Sequence, residues 1–246
     1  LEKRGVIRTE RVRIYRNPVE GSMEAAGKQD AFGKNRPKLS AAQQRIVDSV
    51  LQEYDAGVRK TYLIHGITGS GKTEVYMNLI EGCLKRGRQA ILLIPEIALT
   101  YQTVVRFLKR FGNRVSVLHS GLSAGEKYDQ CERAKAGDID VIIGPRSALF
   151  TPFDNVGLII MDEEHEPSYK SETMPKYHAR ETALYLAKLH GASVVLGSAT
   201  PSLESYYRAK RGEYGFFYLG ERLTGNVLPE VYPVDLRREL REGNRS

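Results

Sequence analysis

Tryptophan is missing from this chain, and cysteine and histidine are scarce, with two and five residues among 246. Cys83 and Cys131 are far apart and form neither a Cys-x-x-Cys pair nor a disulfide framework, which fits a reducing cytoplasm. The scattered histidines leave no metal-ligand cluster visible. No apolar run is long enough to span a bilayer, and no signal peptide is visible. Excess charge is modest: Lys and Arg total 37 against 30 Asp and Glu, a net +7. That balance suits a polyanionic partner without requiring one. Hydrophobic residues make up 41% of the chain, enough for a real core in one large or two small domains. The chain starts at Leu1 rather than Met, and the expectation is a segment excised from a longer protein.

What is present is concentrated in Gly66-Ile67-Thr68-Gly69-Ser70-Gly71-Lys72-Thr73. An apolar run, Tyr62-Leu63-Ile64, precedes it and a helix-like segment over 74–86 follows. That context is what G-x-x-x-x-G-K-[ST] needs to act as a phosphate-binding P-loop. Gly66, Thr68, Gly69, Ser70 and Gly71 fold into a nest of backbone N–H groups, aided by the positive end of the following helix. Lys72 brings a point charge to the β- and γ-phosphates, and Thr73 brings a hydroxyl to Mg²⁺. The chain is therefore expected to bind ATP with Mg²⁺.

Residues 1–20 read as a helix end, a turn at Gly5 and two short alternating strands. Their basic charge suits either a solvated edge strand or the wing of a winged helix. Residues 21–38 have linker composition. From Leu39 the pattern changes. Ser40 can cap a helix over 41–54, and apolar runs then alternate with amphipathic helices. The strands are expected at 62–65, 90–94, 115–118, 141–144, 158–162 and 194–197. Helices are expected near 72–86, 99–111, 124–136 and 178–190, with a last helix at 202–210 and a β-rich run at 214–219. Short apolar strands alternating with helices imply an α/β fold, a mostly parallel sheet covered by helices on both faces.

A second element completes a nucleotide site. The apolar run 156–161 ends in Asp162-Glu163-Glu164-His165. Ligands of an open parallel sheet sit at the carboxyl ends of its strands, which puts these acids on the same edge as Lys72. Asp162 is expected to hold Mg²⁺, and Glu163 to orient and deprotonate the attacking water, with Lys72 as its catalytic partner on the phosphates.

Asp-Glu-x-His is also the hallmark of superfamily 2 helicases, and other segments resemble that superfamily. Gly197-Ser198-Ala199-Thr200 ends an apolar strand as its Ser-Ala-Thr motif does. The resemblance implies that Ser198 and Thr200 link His165 and the nucleotide to the nucleic-acid track. Leu39-Ser40-Ala41-Ala42-Gln43 resembles a Q motif, in which Gln43 reads the adenine edge; the same residues also read as a plain helix N-terminus.

Three further segments are Pro95-Glu96-Ile97-Ala98-Leu99-Thr100, Gly144-Pro145-Arg146-Ser147-Ala148-Leu149-Phe150, and the continuation of Asp-Glu-Glu-His through Tyr169-Lys170 to Tyr177-His178-Ala179-Arg180. With GITGSGKTEVY and LGSATPSLES they resemble the PriA family of bacterial replication-restart helicases. The resemblance implies a RecA-like lobe over 39–232, preceded by the winged-helix end at 1–20 and the linker at 21–38. Residues 233–246 would open a second lobe. It also implies an ATP-dependent 3′→5′ DNA helicase, cytoplasmic and nucleoid-associated, acting on forks and D-loops. Its partners would be single-stranded and branched DNA, primosome proteins and the single-stranded-DNA-binding protein. The family's zinc-binding cysteines and arginine finger belong to the second lobe, so zinc is expected in the parent and little turnover from this segment.

In that family the loop after Asp-Glu-Glu-His couples single-stranded DNA to the ATPase. Here Tyr169 and Tyr177 can stack on bases, while Lys170, Lys176, Arg180 and Arg146 can contact phosphates. Tyr177-His178 reads equally as packing at a helix start. The loop lacks the tryptophan of some relatives; Pro167 and Pro175 partly compensate by stiffening it. Two other readings share the P-loop and Asp-Glu-x-His. One is a DEAH-type RNA helicase or double-stranded DNA translocase. The other is a nucleotide-gated platform for DNA or protein that does not turn over alone.

Overall fold

All but the last strand, whose Phe216 and Tyr218 are exposed, are apolar runs because both of their faces are covered. In the computed structural model, which describes residue 16, residues 37–223 and residues 234 and 237, seven strands form one parallel sheet. They are β1 (Thr61–Gly66), β2 (Gln89–Leu93), β3 (Val115–Val117), β4 (Val141–Gly144), β5 (Val156–Asp162), β6 (Ser193–Ser198) and β7 (Gly215–Leu219). Their spatial order is β3-β4-β2-β5-β6-β1-β7, and every adjacent pair is parallel. The β-rich run expected at 214–219 is thus an edge strand beside β1. The proposed winged-helix end at 1–20, the linker at 21–38, the lobe's last residues and the 233–246 tail lie outside the described residues, apart from Arg16, Pro37, Lys38, Val234 and Arg237.

Six helices cover the sheet among the described residues: α1 (Ala41–Asp55), α2 (Lys72–Lys85), α3 (Tyr101–Phe111), α4 (Ala124–Ala136), α5 (Ala179–His190) and α6 (Leu203–Lys210). Successive strand side chains point to opposite faces, so each strand feeds two cores. Tyr62, Ile64, Leu92 and Ile160 pack with α1, α2 and α3, through residues such as Ile46, Val75 and Phe107. Leu63, Ile91, Ile159 and Leu196 pack on the other side with Ala134 of α4, Ala183 of α5 and Ala209 of α6.

Helix starts follow local chemistry. Ser40 caps α1 in a capping box: its hydroxyl accepts from Gln43 N–H, and Gln43 Oε1 accepts from Ser40 N–H at 2.9 Å. The helix expected at 99–111 starts at Tyr101 instead, because Pro95 leads into a 3₁₀ turn over Glu96–Ala98 and Thr100 supplies the cap. His178 lies just outside α5 as its cap, Nδ1 accepting from Arg180 N–H at 3.2 Å. Between α2 and α3 lies a buried ionic cluster. Arg110 binds Glu74 at 2.8 Å and Glu81 at 3.2 Å, and donates to Asn78 Oδ1. Buried charges are tolerated only when paired in this way, so the cluster fixes the P-loop helix against α3.

Ile160 is fully buried on β5, in the middle of the sheet. Ile160→Ala is expected to lower unfolding free energy by about 2–5 kcal/mol and Ile160→Val by about 0.5–1.5 kcal/mol. Urea denaturation, with m unchanged between variants, checks this.

Candidate functional site

The strand order puts the carboxyl ends of β5, β6 and β1 side by side. Residues far apart in sequence therefore share one edge: Asp162 and Glu163 after β5, Ser198 and Thr200 after β6, and the 66–73 loop after β1. Gly66 ends β1, and its carbonyl accepts from Lys72 Nζ at 2.7 Å. Gly71 adopts φ +79°, a left-handed conformation that glycine takes without strain, and α2 starts directly after it. Among the described residues, the N–H groups of Gly69, Gly71, Lys72 and Thr73 donate to no other atom of the fold. Ser70 Oγ is buried and likewise has no partner. Ser70 and Lys72 are buried, and buried donors are normally satisfied, so this row of unpaired groups is what a triphosphate would engage. The Thr73 hydroxyl and the Asp162 carboxylate are hard oxygen donors of the kind Mg²⁺ prefers.

Asp162 is held by two tyrosines. Tyr76 of α2 donates to its Oδ1 at 2.9 Å, and Tyr169 donates to its backbone carbonyl at 2.7 Å. Burial pushes the Asp162 carboxyl up, as does the adjacent Glu163 charge; the Tyr76 hydroxyl and Lys72 oppose the shift. Burial beside these acids also raises both tyrosines, which keeps them protonated donors. Tyr76 reaches Asp162 across β6 at Gly197. A Cβ there would fall 1.7 Å from the Tyr76 hydroxyl, so only glycine admits the contact.

Glu163 takes φ +46°, the one non-glycine residue at positive φ among the described residues. For a residue with a Cβ this conformation costs about 1–2 kcal/mol. The sharp turn it makes aims the side chain back at the P-loop, with Oε1 4.0 Å from Lys72 Nζ and Oε2 3.7 Å from His165 Nδ1. His165 Nδ1 lies 2.7 Å from Ser198 Oγ, which accepts from Thr200 N–H at 2.9 Å. Nε2 lies 3.4 Å from Thr200 Oγ1. His165, Ser198 and Thr200 are therefore joined.

Two residues important here were not singled out from the sequence. Glu164 is buried, accepts from Ser202 N–H at 2.6 Å and from the hydroxyls of Ser202 and Ser205, and pairs with Arg180 at 3.5 Å. Tyr76 is the other. The Ser202/Ser205 start of α6 was a readable cap, and Tyr76 a readable apolar-face residue one turn past Lys72. Neither cue names its partner.

Three expectations are corrected. Tyr169 is 1% exposed, with its ring in the core and its hydroxyl on Asp162, so it offers no face to a base. Arg180 is buried against Glu164, with Glu181, Glu204 and the Ser202 and Ser205 hydroxyls around it, because a buried guanidinium must satisfy its charge locally. Gln43 is 1% exposed and turned onto the P-loop, Nε2 donating to Ser70 O at 3.0 Å and Gly71 O at 3.2 Å.

The remaining residues expected to meet nucleic acid lie on the other half of the edge. Arg146 Nη1 donates to the carbonyls of Ser168 at 2.7 Å and Lys170 at 2.9 Å, clamping the base of the loop. Lys170 pairs with His178 as an antiparallel bridge, and Ser171 N–H donates to Tyr177 O, so 170–178 folds back as a hairpin. Lys170 and Lys176 are exposed on it; Tyr177 is half-buried, edge-on to Phe150. Beside this clamp, past the ends of β2, β3 and β4, a cavity of about 330 Å³ is lined by Glu96, His119, Lys127, Arg146, Ser147 and Ser168. Glu96 accepts from Ser120, whose hydrogen bonds hold its carboxyl below the usual range.

Gly197→Ala is expected to expel the Tyr76 hydroxyl and destabilise the chain by about 1–3 kcal/mol. In Gly197→Ala/Tyr76→Phe the loss is smaller than the sum of the singles by about 0.5–3 kcal/mol. A double-mutant cycle from urea unfolding measures the coupling.

Residues 36–203 match the family model described as Type III restriction enzyme, res subunit. The chain is 47% identical to replication restart protein PriA of Bacillus subtilis (strain 168), an alignment covering 100% of this chain and 30% of that protein. It is 42% identical to PriA of Synechocystis sp., covering 100% of this chain and 29% of that protein. The chain thus spans about three-tenths of the length of the curated relatives it matches. Among solved structures, RecG bound to a three-way DNA junction shares the fold, with a TM-score of 0.60 at 23% identity over 92% of this chain and 28% of that one. No helix among the described residues is long and apolar enough to cross a membrane.

Proposed function

The chain belongs to the family described as Type III restriction enzyme, res subunit, and is similar over its full length to replication restart protein PriA; on that premise we propose that it is the ATP-binding lobe of a superfamily 2 DNA helicase acting in replication restart. One observation carries the reading. The loop at 66–73, Asp162-Glu163 and the His165–Ser198–Thr200 contacts adjoin on one sheet edge, with the lysine-bearing hairpin beside them.

In this reading the free N–H groups of the loop and Lys72 hold the β- and γ-phosphates, Lys72 leaving Gly66 O to do so. Thr73 and Asp162 would hold Mg²⁺, which when bound neutralises charge on the phosphate oxygens. Glu163, already facing Lys72, orients the attacking water and accepts its proton. His165, Ser198 and Thr200 report the state of Glu163 to the neighbouring strand end. Lys170, Lys176 and Tyr177 meet the single strand, and the cavity beside Arg146 and Lys127 accepts its backbone.

The residues at 39–232 would constitute the first RecA-like lobe, with 1–20 closing a winged helix, 21–38 a linker and 233–246 opening the second lobe. The family resemblance further suggests 3′→5′ polarity, forks and D-loops as substrates, primosome proteins and single-stranded-DNA-binding protein as partners, and work at the bacterial nucleoid. Zinc and the arginine finger are assigned to the rest of the parent. An arginine finger typically contributes ~10³–10⁵ in rate, so this segment alone should bind ATP and turn it over slowly.

Two outcomes are expected. Lys72→Ala abolishes ATP binding by this chain in calorimetry, while Glu163→Gln in the full-length parent retains ATP binding and loses steady-state hydrolysis. Normal turnover by Glu163→Gln would mean that another residue positions the water. Separately, Lys170→Ala/Lys176→Ala in the parent weakens single-stranded DNA binding and flattens log K against log salt by about one to two. Tyr169→Phe leaves that affinity unchanged, since its ring is buried. Equal ATPase stimulation by RNA and DNA would favour an RNA helicase.

A further inference from the structure

On the side of the sheet where β3 is outermost, α4 holds a residue that lies far before it in sequence. Arg16 precedes Asp129 by 113 positions, yet its backbone and its side chain are both engaged there. Its N–H donates to Asp129 Oδ2 at 3.2 Å, and its guanidinium Nε donates to the same oxygen at 2.7 Å. Its carbonyl accepts from Gln130 Nε2 at 2.7 Å. Two successive residues of one helix thus grip both the N–H and the C=O of Arg16.

The receiving groups are fixed by the fold. Gln130 is fully buried, and Ser116 of β3 and Arg133 both donate to its Oε1 at 2.8 Å. Its Nε2 also donates to Glu126 O at 3.1 Å. Arg133 only donates and a carbonyl only accepts, so the carboxamide cannot turn over. Its second N–H is therefore aimed at Arg16 O, and among the described residues it has no other acceptor. The Asp129 side chain is 12% exposed against 61% for Arg16, so the acceptor is largely withdrawn from water. One turn earlier, Gly125 leaves room for the guanidinium, since a Cβ there would lie 2.5 Å from it. An exposed ion pair alone contributes little, but here it adds to two backbone hydrogen bonds on the same residue.

We infer that Gly125, Asp129 and Gln130 form a docking site for the chain's own segment at Arg16, an anchor that fastens the residues before the lobe to α4. Lys127 of the same helix lines the cavity beside Arg146. The anchor therefore sets where the N-terminal part enters relative to the nucleic-acid edge. That consequence rests on the proposed reading of 1–20 as the end of a DNA-binding winged helix; the docking itself does not.

Native-state hydrogen exchange of the Arg16 amide, followed by NMR on this chain, reads the anchor directly. The wild-type amide is expected to exchange about tenfold slower, or more, than in Asp129→Ala, which removes its acceptor. Arg16→Ala keeps the amide but loses the guanidinium contact, and decides the matter should Asp129→Ala fail to fold; about threefold faster exchange is expected. Equal exchange rates in the wild type and both variants would overturn the docking. In the full-length parent, Arg16→Glu is expected to weaken binding of branched DNA about threefold or more relative to single-stranded DNA, and Arg16→Glu/Asp129→Arg to restore it. A loss that the exchanged pair does not restore would put Arg16 on the DNA itself and overturn the anchoring role. A protected amide, with branched-DNA binding unchanged in Arg16→Glu, would uphold the docking and sink the reading of 1–20 as part of a DNA-binding domain.

Discussion

The hydrogen bond from Tyr76 to Asp162 is the contact on which the arrangement of this edge depends. It joins α2, which begins at the phosphate loop, to the end of β5, and it passes through β6 at the one residue without a Cβ. Three sequence segments must be in register for that bond to form. Because the hydroxyl is fully buried and raised in pKa by its surroundings, it stays a donor, and Asp162 Oδ1 stays oriented. The Arg110–Glu74–Glu81 cluster fixes the same helix from its far side. A rigid α2 is what allows a loop of glycines to present a defined nest.

Burial decides which polar residues are structural and which are available for ligands. Arg180 and Tyr169 lie in the stretch whose composition best suits a nucleic-acid contact, yet both are consumed inside. Arg180 neutralises Glu164, and Glu164 in turn fixes the start of α6 through Ser202 and Ser205. Removing Arg180 would leave the buried Glu164 carboxylate without its counter-charge, a cost of about 3–5 kcal/mol. The exposed Lys170 and Lys176 carry no such obligation, and their charges remain in solvent.

The sheet and the nucleotide loop were legible because their signals are local. A strand buried on both faces is a run such as Leu158-Ile159-Ile160-Met161, and a phosphate nest is a spacing of glycines before Lys72. The strand-end rule then brought Asp162 and Lys72 together without any knowledge of strand order. What stayed hidden was partner choice. Gln43, Tyr169 and Arg180 each have side-chain chemistry that fits a ligand as well as an internal partner. Only the fold reveals that Ser70 and Gly71 carbonyls, the Asp162 carbonyl and Glu164 lie within reach. The shift of α3 to Tyr101 was local as well; Pro95 and Thr100 mark it, but the helical periodicity of 99–111 obscured it.

Under the proposed function, the two halves of the edge communicate through very few bonds. Arg146 holds the carbonyls of Ser168 and Lys170, and Tyr169 between them donates to the carbonyl of Asp162. A strand that drew Arg146 toward its phosphates would weaken the grip on the two residues flanking Tyr169. The Tyr169 hydroxyl bears on the peptide that leads directly into Glu163, whose left-handed backbone already stores strain. A small shift there would swing the Glu163 carboxylate relative to Lys72. A buried tyrosine is better suited to that task than an exposed one, because only a fixed ring transmits displacement without absorbing it in rotamer changes.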